Sequence, residues 1–249
     1  MSSGSCSGCD LSNKAMNGVR LNDANLSGSI FNNSNLSGGS LDGSNLSDAH
    51  FRSALMYRVK GKDVKMPGAQ LEDATLTEAH LSNSQLANAN LTRANLSRSI
   101  FSNTNFKGAR FDSADLTGAS FQNGQFQKAT FAGTNLTGTI LDDANFSGAD
   151  LSGAQGLQQV QLDFACGDSR TRLPVGLSLS YCGDLNPSTE AHSHDDLAED
   201  MAQVALRLDR AISDVENLLA AANPRDRALR TRLQRIHSDL VQSKAAIAR

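Results

Sequence analysis

The residues of this chain most able to do chemistry are its four cysteines, Cys6, Cys9, Cys166 and Cys182. Four thiolates could hold one zinc ion, or each pair could close a disulfide. The even number, with one pair near each end of a regular segment, favours disulfides, Cys166–Cys182 ahead of Cys6–Cys9. Four reduced thiols in a cytosolic protein are the alternative.

A second set of possible ligands lies in the stretch AHSHDD at 191–196. His192, His194, Asp195 and Asp196 are residue types that bind divalent metals. The stretch is polar, follows Pro187, and ends in aspartates that can cap a helix. We therefore interpret it as a flexible joint leading into a helix, and we predict neither a metal nor a cofactor.

The residues before 156 follow a five-residue repeat, and this repeat must set the direction of their side chains. Leu, Phe or Met occupies 28 of the 29 places at every fifth residue from 11 to 151, and Gly61 is the exception. A small or compact residue stands two places before each of them, except at Lys14. A spacing of five fits neither the 3.6 of a helix nor the 2 of a strand. The unit A-[N/D]-L-x-x therefore predicts a repeat architecture.

This unit resembles the motif of pentapeptide repeat proteins. It stands openly in ANLTRANLSRS, ADLTGASF and ANFSGADLSGA, and it extends over about residues 9–155. The resemblance implies a mainly-β fold, a right-handed quadrilateral β-helix in which each pentad forms one side and four pentads close a coil. The apolar and the small residue then point inward. We expect a β-solenoid over 9–156 with roughly seven coils at ~4.8 Å each, about 35 Å long.

A coil of four pentads also predicts that residues n and n+20 stack. Phenylalanines recur at this interval: Phe31 and Phe51, Phe101 and Phe121, Phe111 and Phe131, and Phe106, Phe126 and Phe146. Outward-facing amides share another column: Asn25, Asn45, Gln85, Asn105, Gln125 and Asn145. The pattern predicts aromatic stacks inside the solenoid and a ladder of polar side chains outside it.

The solenoid would hold the two cysteine pairs about 35 Å apart, by the same coil spacing. Zinc ligands must lie within ~2.3 Å of one ion, which excludes a shared zinc site. We take residues 1–8 as a lead-in. Residues 157–183 are predicted to fold back over the last coil as a cap pinned by Cys166–Cys182, since solenoid ends need caps.

Carboxylates inside the repeat raise the question of an enzyme. Asp142 and Asp143, with Asp112 and Asp115, are candidates for the acid–base chemistry of glycoside hydrolysis. The pentad loops are too short to build a cleft, and no nucleophile elbow, phosphate loop or zinc-binding helix is visible. We predict that the chain is not an enzyme and has no small-molecule substrate.

One pentad departs from the pattern, in RVKGKDVKMPG at 58–68. The cations Arg58, Lys60, Lys62 and Lys65 crowd around Gly61 with one carboxylate, Asp63. The expected structure is a bulged coil corner with solvated cations. A basic contact for an acidic partner is the functional alternative.

After a linker at 184–194, the apolar spacing becomes an alternation of three and four, typical of a helix with a heptad seam. We expect an antiparallel helical hairpin over 195–249, with Asn223 and Pro224 starting its second helix. The seam comprises Leu197, Met201, Val204, Leu208, Val215 and Leu218, then Leu229, Leu233, Ile236 and Leu240. Its free face would meet a second copy, giving a dimer through a four-helix bundle, or the solenoid, or another protein.

Charge argues against nucleic acid as a partner. The net charge is −3, and before residue 166 there are 14 carboxylates against 12 Lys and Arg. We predict a non-enzymatic scaffold, a rigid solenoid whose hairpin serves self-association or docking of a protein partner. The alternative, implied by the resemblance, is a DNA-mimicking gyrase-binding protein linked to quinolone protection. The nearly neutral solenoid departs from the one-signed surface that such mimicry needs.

The compartment follows from the cysteines. No apolar run approaches the roughly 20 residues of a membrane span, and the first residues lack the features of a signal peptide. Disulfides would favour a periplasmic or secreted location, whereas free thiols would favour the cytoplasm.

Overall fold

The computed structural model describes residues 6–182 and, beyond them, 205, 208–209, 211–213, 215–216, 219 and 227–247. The chain divides into two compact units, Met1–Asn186 and Pro187–Arg249. The predicted linker at 184–194 lies outside the described residues, and so does the stretch AHSHDD.

The first unit is a β-solenoid held together by parallel bridges between residues n and n+20. A bridge occurs at every fifth residue, which places four ladders on each coil. We number these ladders along the chain: the first contains Asp10–Asp150, the second Ala15–Gln155, the third Arg20–Ile140 and the fourth Asn25–Asn145. The prediction of a mainly-β solenoid is confirmed.

A β-turn joins consecutive sides of each coil. The N–H of the small residue donates to the carbonyl of the apolar residue three places earlier, as from Ala94 to Leu91 at 3.0 Å. The third residue of each turn has positive φ, for example 59° at Asn88 and 65° at Gly118. Side chains disfavour this region, so Gly, Asn and Asp predominate there. Gly, Asn or Asp occupies 22 of the 29 places at every fifth residue from 8 to 148, and the predictions above did not use this signal.

The inward positions form one continuous core. The predicted aromatic stacks are confirmed: ring centroids lie 4.7 Å apart for Phe31–Phe51, 5.6 Å for Phe101–Phe121, 5.1 Å for Phe111–Phe131, 5.2 Å for Phe106–Phe126 and 5.0 Å for Phe126–Phe146. The amide ladder forms in part. Asn45 donates to Asn25 at 3.1 Å and Asn105 to Gln85 at 3.0 Å, whereas Lys65 stands between these two pairs.

The pentad at Gly61 contains no bulge, contrary to the expected corner. Gly61 N–H donates to the His80 carbonyl at 2.8 Å, and Lys60 and Lys65 keep their bridges in the third and fourth ladders. The regularity has a packing cause. A Cβ placed on Gly61 would lie 2.5 Å from Cγ2 of Val64, so the Val64 side chain occupies the missing residue's space.

The N-terminal end of the solenoid differs from the predicted boundary, whereas a cap follows the last coil as predicted. Coil geometry begins one pentad earlier than residue 9, because Cys6 N–H already donates to the Asn25 carbonyl at 2.8 Å. At the other end, α1 (Gln159–Leu162) leads to β1 (Cys166–Gly167), which pairs in parallel with β2 (Ser180–Tyr181). Cys166 also bridges Asn145, so the cap continues the fourth ladder.

A buried glutamine fixes this cap to the last coil. Gln161 is 5% exposed. Its Nε2 donates to the carbonyls of Leu136 and Thr139 at 2.8 and 3.0 Å and lies 2.8 Å from Thr139 Oγ1. These bonds satisfy the polar groups that the end of the core would otherwise leave buried and unpaired.

In the second unit, α2 covers Arg227–Ile247, and the described residues between 205 and 219 are also helical. Asp209 pairs with Lys244, and Glu216 with His237 at 3.1 Å. The order of these partners is antiparallel. Among the described residues, no helix combines the length and the hydrophobicity of a membrane-spanning segment.

The structure describes only some of the residues of the predicted seam. Val215 and Leu233 are buried, and Leu208 and Leu240 are half-buried. Ile236 is 47% exposed and lies outside the contact between the helical segments. His237, the next residue, contacts Glu216 instead. Two packed helices cover only a narrow stripe of each other's surface, so the apolar side chain of Ile236 remains uncovered. Leu197, Met201, Val204 and Leu218 lie outside the described residues, and Leu229 lies in α2.

A candidate protein-binding surface

The acidic residues considered for catalysis serve the backbone or lie apart. Asp112 accepts from the Ala132 N–H at 3.1 Å and faces Arg110 at 3.2 Å. Asp115 accepts from the N–H and hydroxyl of Thr117 at 3.0 and 2.5 Å. Asp142 and Asp143 occupy the turn between the third and fourth ladders, on another part of the coil. The structure does not bring these carboxylates together.

Both predicted disulfides are formed, Cys6–Cys9 in the first coil and Cys166–Cys182 in the cap. Cys166 is 8% exposed, and Ser147 Oγ donates to Cys182 Sγ at 3.2 Å. Within the described residues, no three His, Cys, Asp or Glu side chains group as metal ligands would.

The four predicted basic residues spread around one coil. Arg58 lies in the turn between the second and third ladders, Lys60 in the third ladder, Lys62 in the next turn and Lys65 in the fourth ladder. Arg58 donates to Glu78 at 2.6 Å, which compensates its charge. The structure therefore separates Lys65 from Arg58 and gives Arg58 a structural partner.

Beside Arg58, however, lies an exposed cluster that the sequence analysis missed. Leu55 stands in the second ladder between Asn35 and Thr75 and is 45% exposed, and Tyr57 is 37% exposed. The Arg58 guanidinium lies over the Tyr57 ring, 4.9 Å from its centroid. Tyr and Arg are among the residue types that dominate binding energy in protein interfaces, and Leu55 adds exposed apolar area beside them.

Ion pairs between neighbouring coils border this cluster on both sides. Along one edge Arg52 pairs with Glu72 at 3.2 Å, and Arg93 donates to both carboxylate oxygens of Asp73 at 2.7 and 2.8 Å. Along the other edge Glu78 accepts from Arg58 and, at 3.3 Å, from the Tyr57 hydroxyl. We call the cluster and these ion pairs the second-ladder surface.

These hydrogen bonds keep the border charged. The hydrogen bond from Arg93 lowers the pKa of Asp73, and that from Arg58 lowers the pKa of Glu78. Both carboxylates therefore stay ionised at a pH where isolated ones begin to take up protons. An apolar centre with a charged, hydrogen-bonded rim has the arrangement of a protein-binding patch, and its side chains are held by the repeat itself.

The sequence signal for this cluster was weak but present. Leu55 occupies a place in the pentad that is mostly polar, and Tyr57 is one of only two tyrosines. Their proximity to Arg58 and Glu78 depends on the stacking of coils, which brings residues n and n+20 side by side.

Two family models match the repeat region of the chain. The model described as "Pentapeptide repeats (8 copies)" matches residues 5–38 and 29–60, and the model "Pentapeptide repeat region" matches 74–155. Together these matches cover more than half of the chain.

The chain belongs to the pentapeptide repeat family.

Solved pentapeptide repeat structures resemble this protein at low identity. A trypsin-treated variant of QnrB1, a plasmid-mediated fluoroquinolone resistance protein, is 16% identical over 69% of this chain and 90% of its own, with a TM-score of 0.42. HetL, involved in heterocyst differentiation regulation in the cyanobacterium Nostoc sp. strain PCC 7120, is 20% identical over 75% and 92%, with a TM-score of 0.30. Rfr23 from the cyanobacterium Cyanothece 51142 is 28% identical over 40% and 63%, with a TM-score of 0.32. No protein of curated function matches the sequence.

Proposed function

We propose that this pentapeptide repeat protein is a non-enzymatic binding scaffold. The repeat forms a rigid, right-handed solenoid of roughly seven coils that presents the second-ladder surface to a protein partner, and the helical hairpin mediates self-association. The observation that carries the proposal is the exposed contact between Tyr57 and Arg58 beside Leu55, which is exposed on a ladder that is otherwise polar apart from Ala15.

The solenoid supports this role because it fixes the surface without a mobile loop. The backbone of residues 55–58 is hydrogen-bonded to both neighbouring coils: Leu55 N–H donates to Ser34 at 2.9 Å and Met56 N–H to Thr75 at 2.7 Å. Presenting these side chains therefore costs little ordering entropy when a partner binds. The preference for protein over nucleic acid rests on the pairing of arginines with carboxylates around the cluster.

The hairpin supports self-association through its uncovered apolar side chains. Ile236 is 47% and Val241 42% exposed on α2, although Val215 and Leu233 are buried. A second copy could cover these positions by the same kind of helix packing, as the heptad pattern predicts.

Light scattering coupled to size-exclusion chromatography tests self-association of the full chain. The double variant Ile236→Asp and Val241→Asp should be monomeric at a concentration where the unaltered chain is dimeric. The matched control, Gln234→Asp and Gln242→Asp, adds the same charge at exposed positions of α2 and should leave the dimer intact. A dimer that survives the first double variant would contradict the role of this face.

Quantitative co-purification tests the second-ladder surface. Leu55→Ser with Tyr57→Ser should reduce recovery of the bound protein at least about tenfold, since interface centres of this type contribute 2 kcal/mol or more. Ile140→Ser is the control, because Ile140 is similarly exposed at 40% but lies in the third ladder. Equal recovery with both variants would refute the assignment of this surface.

A further inference from the structure

The Cys6–Cys9 disulfide occupies two inward positions of neighbouring pentads. Cys6 takes the place of the apolar residue, and Cys9 that of the small residue three positions later. The β-turn of the repeat joins them, with Cys9 N–H donating to the Cys6 carbonyl at 3.3 Å, and their Cα atoms lie 5.5 Å apart. This separation falls in the normal range for a disulfide, so the turn allows the bond without any change of the coil.

The same turn is held independently of its sulfur atoms. Cys6 N–H donates to Asn25 at 2.8 Å, Gly8 N–H to Ser27 at 2.9 Å, and Ile30 N–H to the Cys9 carbonyl at 2.8 Å. Ser29 Oγ also donates to the Cys6 carbonyl at 2.6 Å. Because these bonds attach the turn to the next coil, the dithiol and the disulfide fit one backbone conformation.

The Cys166–Cys182 disulfide instead crosslinks two separate segments of the cap. It joins the start of β1 to the residue that follows β2, across a sequence separation of 16 rather than 3. Cys166 is buried and Cys182 half-buried, whereas Cys6 and Cys9 are both half-buried. Attack on Cys182 would expel a thiolate at the buried Cys166, which low solvation disfavours, so this crosslink should open several-fold more slowly than Cys6–Cys9.

We propose that Cys6–Cys9 is a thiol–disulfide exchange site for low-molecular-weight thiols of the glutathione class, while Cys166–Cys182 is a structural crosslink. Cys6 packs against the core, so Cys9 Sγ is the atom attacked. An external thiolate forms a bond to Cys9 Sγ as the Cys6–Cys9 bond breaks, and Cys6 Sγ leaves with the electron pair and takes a proton. A second thiolate then attacks the external sulfur of the mixed disulfide. This step releases the small-molecule disulfide and the Cys9 thiolate, which is protonated.

Incubation of the full chain with reduced glutathione, quenched at successive times, tests the site. After acid quenching and alkylation, mass spectrometry reports each pair separately, since trypsin cleaves after Lys14 and so isolates Cys6 and Cys9. Reduction of Cys6–Cys9 should be several-fold faster than that of Cys166–Cys182, because Cys166 is buried. Far-UV circular dichroism should stay constant while Cys6–Cys9 opens. Equal rates, or a loss of β signal with Cys6–Cys9, would overturn the proposal.

Two single variants test which sulfur is attacked. In Cys6→Ser the remaining Cys9 should form a mixed disulfide with glutathione disulfide several-fold faster than Cys6 does in Cys9→Ser. Equal rates, or the reverse order, would overturn the assignment of Cys9. Cys166–Cys182 stays intact in both variants and controls for general loss of structure.

Discussion

Gly61 and Val64 should behave as a compensating pair. Gly61 lies in a column between Leu41 and Leu81, and an added Cβ would meet Val64 Cγ2 at 2.5 Å, Leu81 Cδ2 at 3.0 Å and Leu41 Cβ at 3.3 Å. Gly61→Leu restores the repeat consensus yet overpacks the core, at a cost of about 1–3 kcal/mol. Val64→Ala removes two buried methyl groups and leaves a cavity, at about 2–3 kcal/mol.

Combined, the two substitutions should cost about 1 kcal/mol rather than their sum, because the new leucine fills the space that valine leaves. Urea unfolding followed by circular dichroism gives the four free energies of the cycle. Val59→Ala is the matched control, since Val59 is equally buried but is not among the atoms nearest to Gly61. Additivity within about 0.5 kcal/mol for Gly61 with Val64 would refute the reasoning.

Other regions give further predictions. Phe126→Ala should lower the unfolding free energy by about 3–5 kcal/mol and Phe126→Leu by about 1, and equal losses in urea unfolding would count against the stacked core. Replacing Cys166 and Cys182 by serine should cost roughly 3 kcal/mol in the same assay, and unchanged stability would argue against a crosslinked cap. Hydrogen bonds from Arg170 lower the pKa of Asp168 to about 2. This carboxylate therefore contributes stability that is complete above its unfolded pKa of ~3.9 and is lost as the pH falls toward 2. Asp168→Asn should weaken the dependence of the melting temperature on pH over that interval. An unchanged dependence would contradict the assignment of this stability to Asp168.

The gyrase alternative has its own assay. We expect added protein neither to inhibit DNA supercoiling by gyrase nor to protect it from a quinolone, because the charges around the second-ladder surface are paired and of both signs. Protection of gyrase from the quinolone at an equimolar amount of this protein would favour the gyrase-binding alternative over the scaffold proposed above.

The repeat shows how far the sequence alone can lead. A residue such as Leu91 is assigned to the core by its place in the pentad, and the phenylalanine columns follow from the interval of twenty. These predictions hold because the backbone turn recurs with the same five residues, so that position in the repeat fixes whether a side chain points inward. The boundary at residue 9 was wrong because a cysteine replaces the apolar residue in the first pentad.

The side-chain contacts between neighbouring coils could not be predicted in this way. The period says that residue 61 faces inward, but only packing reveals that Val64 fills the space of Gly61. Likewise the four cations near residue 60 are close in sequence, yet the coil carries Lys65 to another ladder and places Arg58 against Glu78 and Tyr57. The sequence by itself thus determined which residues build the solenoid, since local spacing sets their direction. The tertiary structure decided which surface residues meet, because those contacts depend on side-chain length and volume across neighbouring coils.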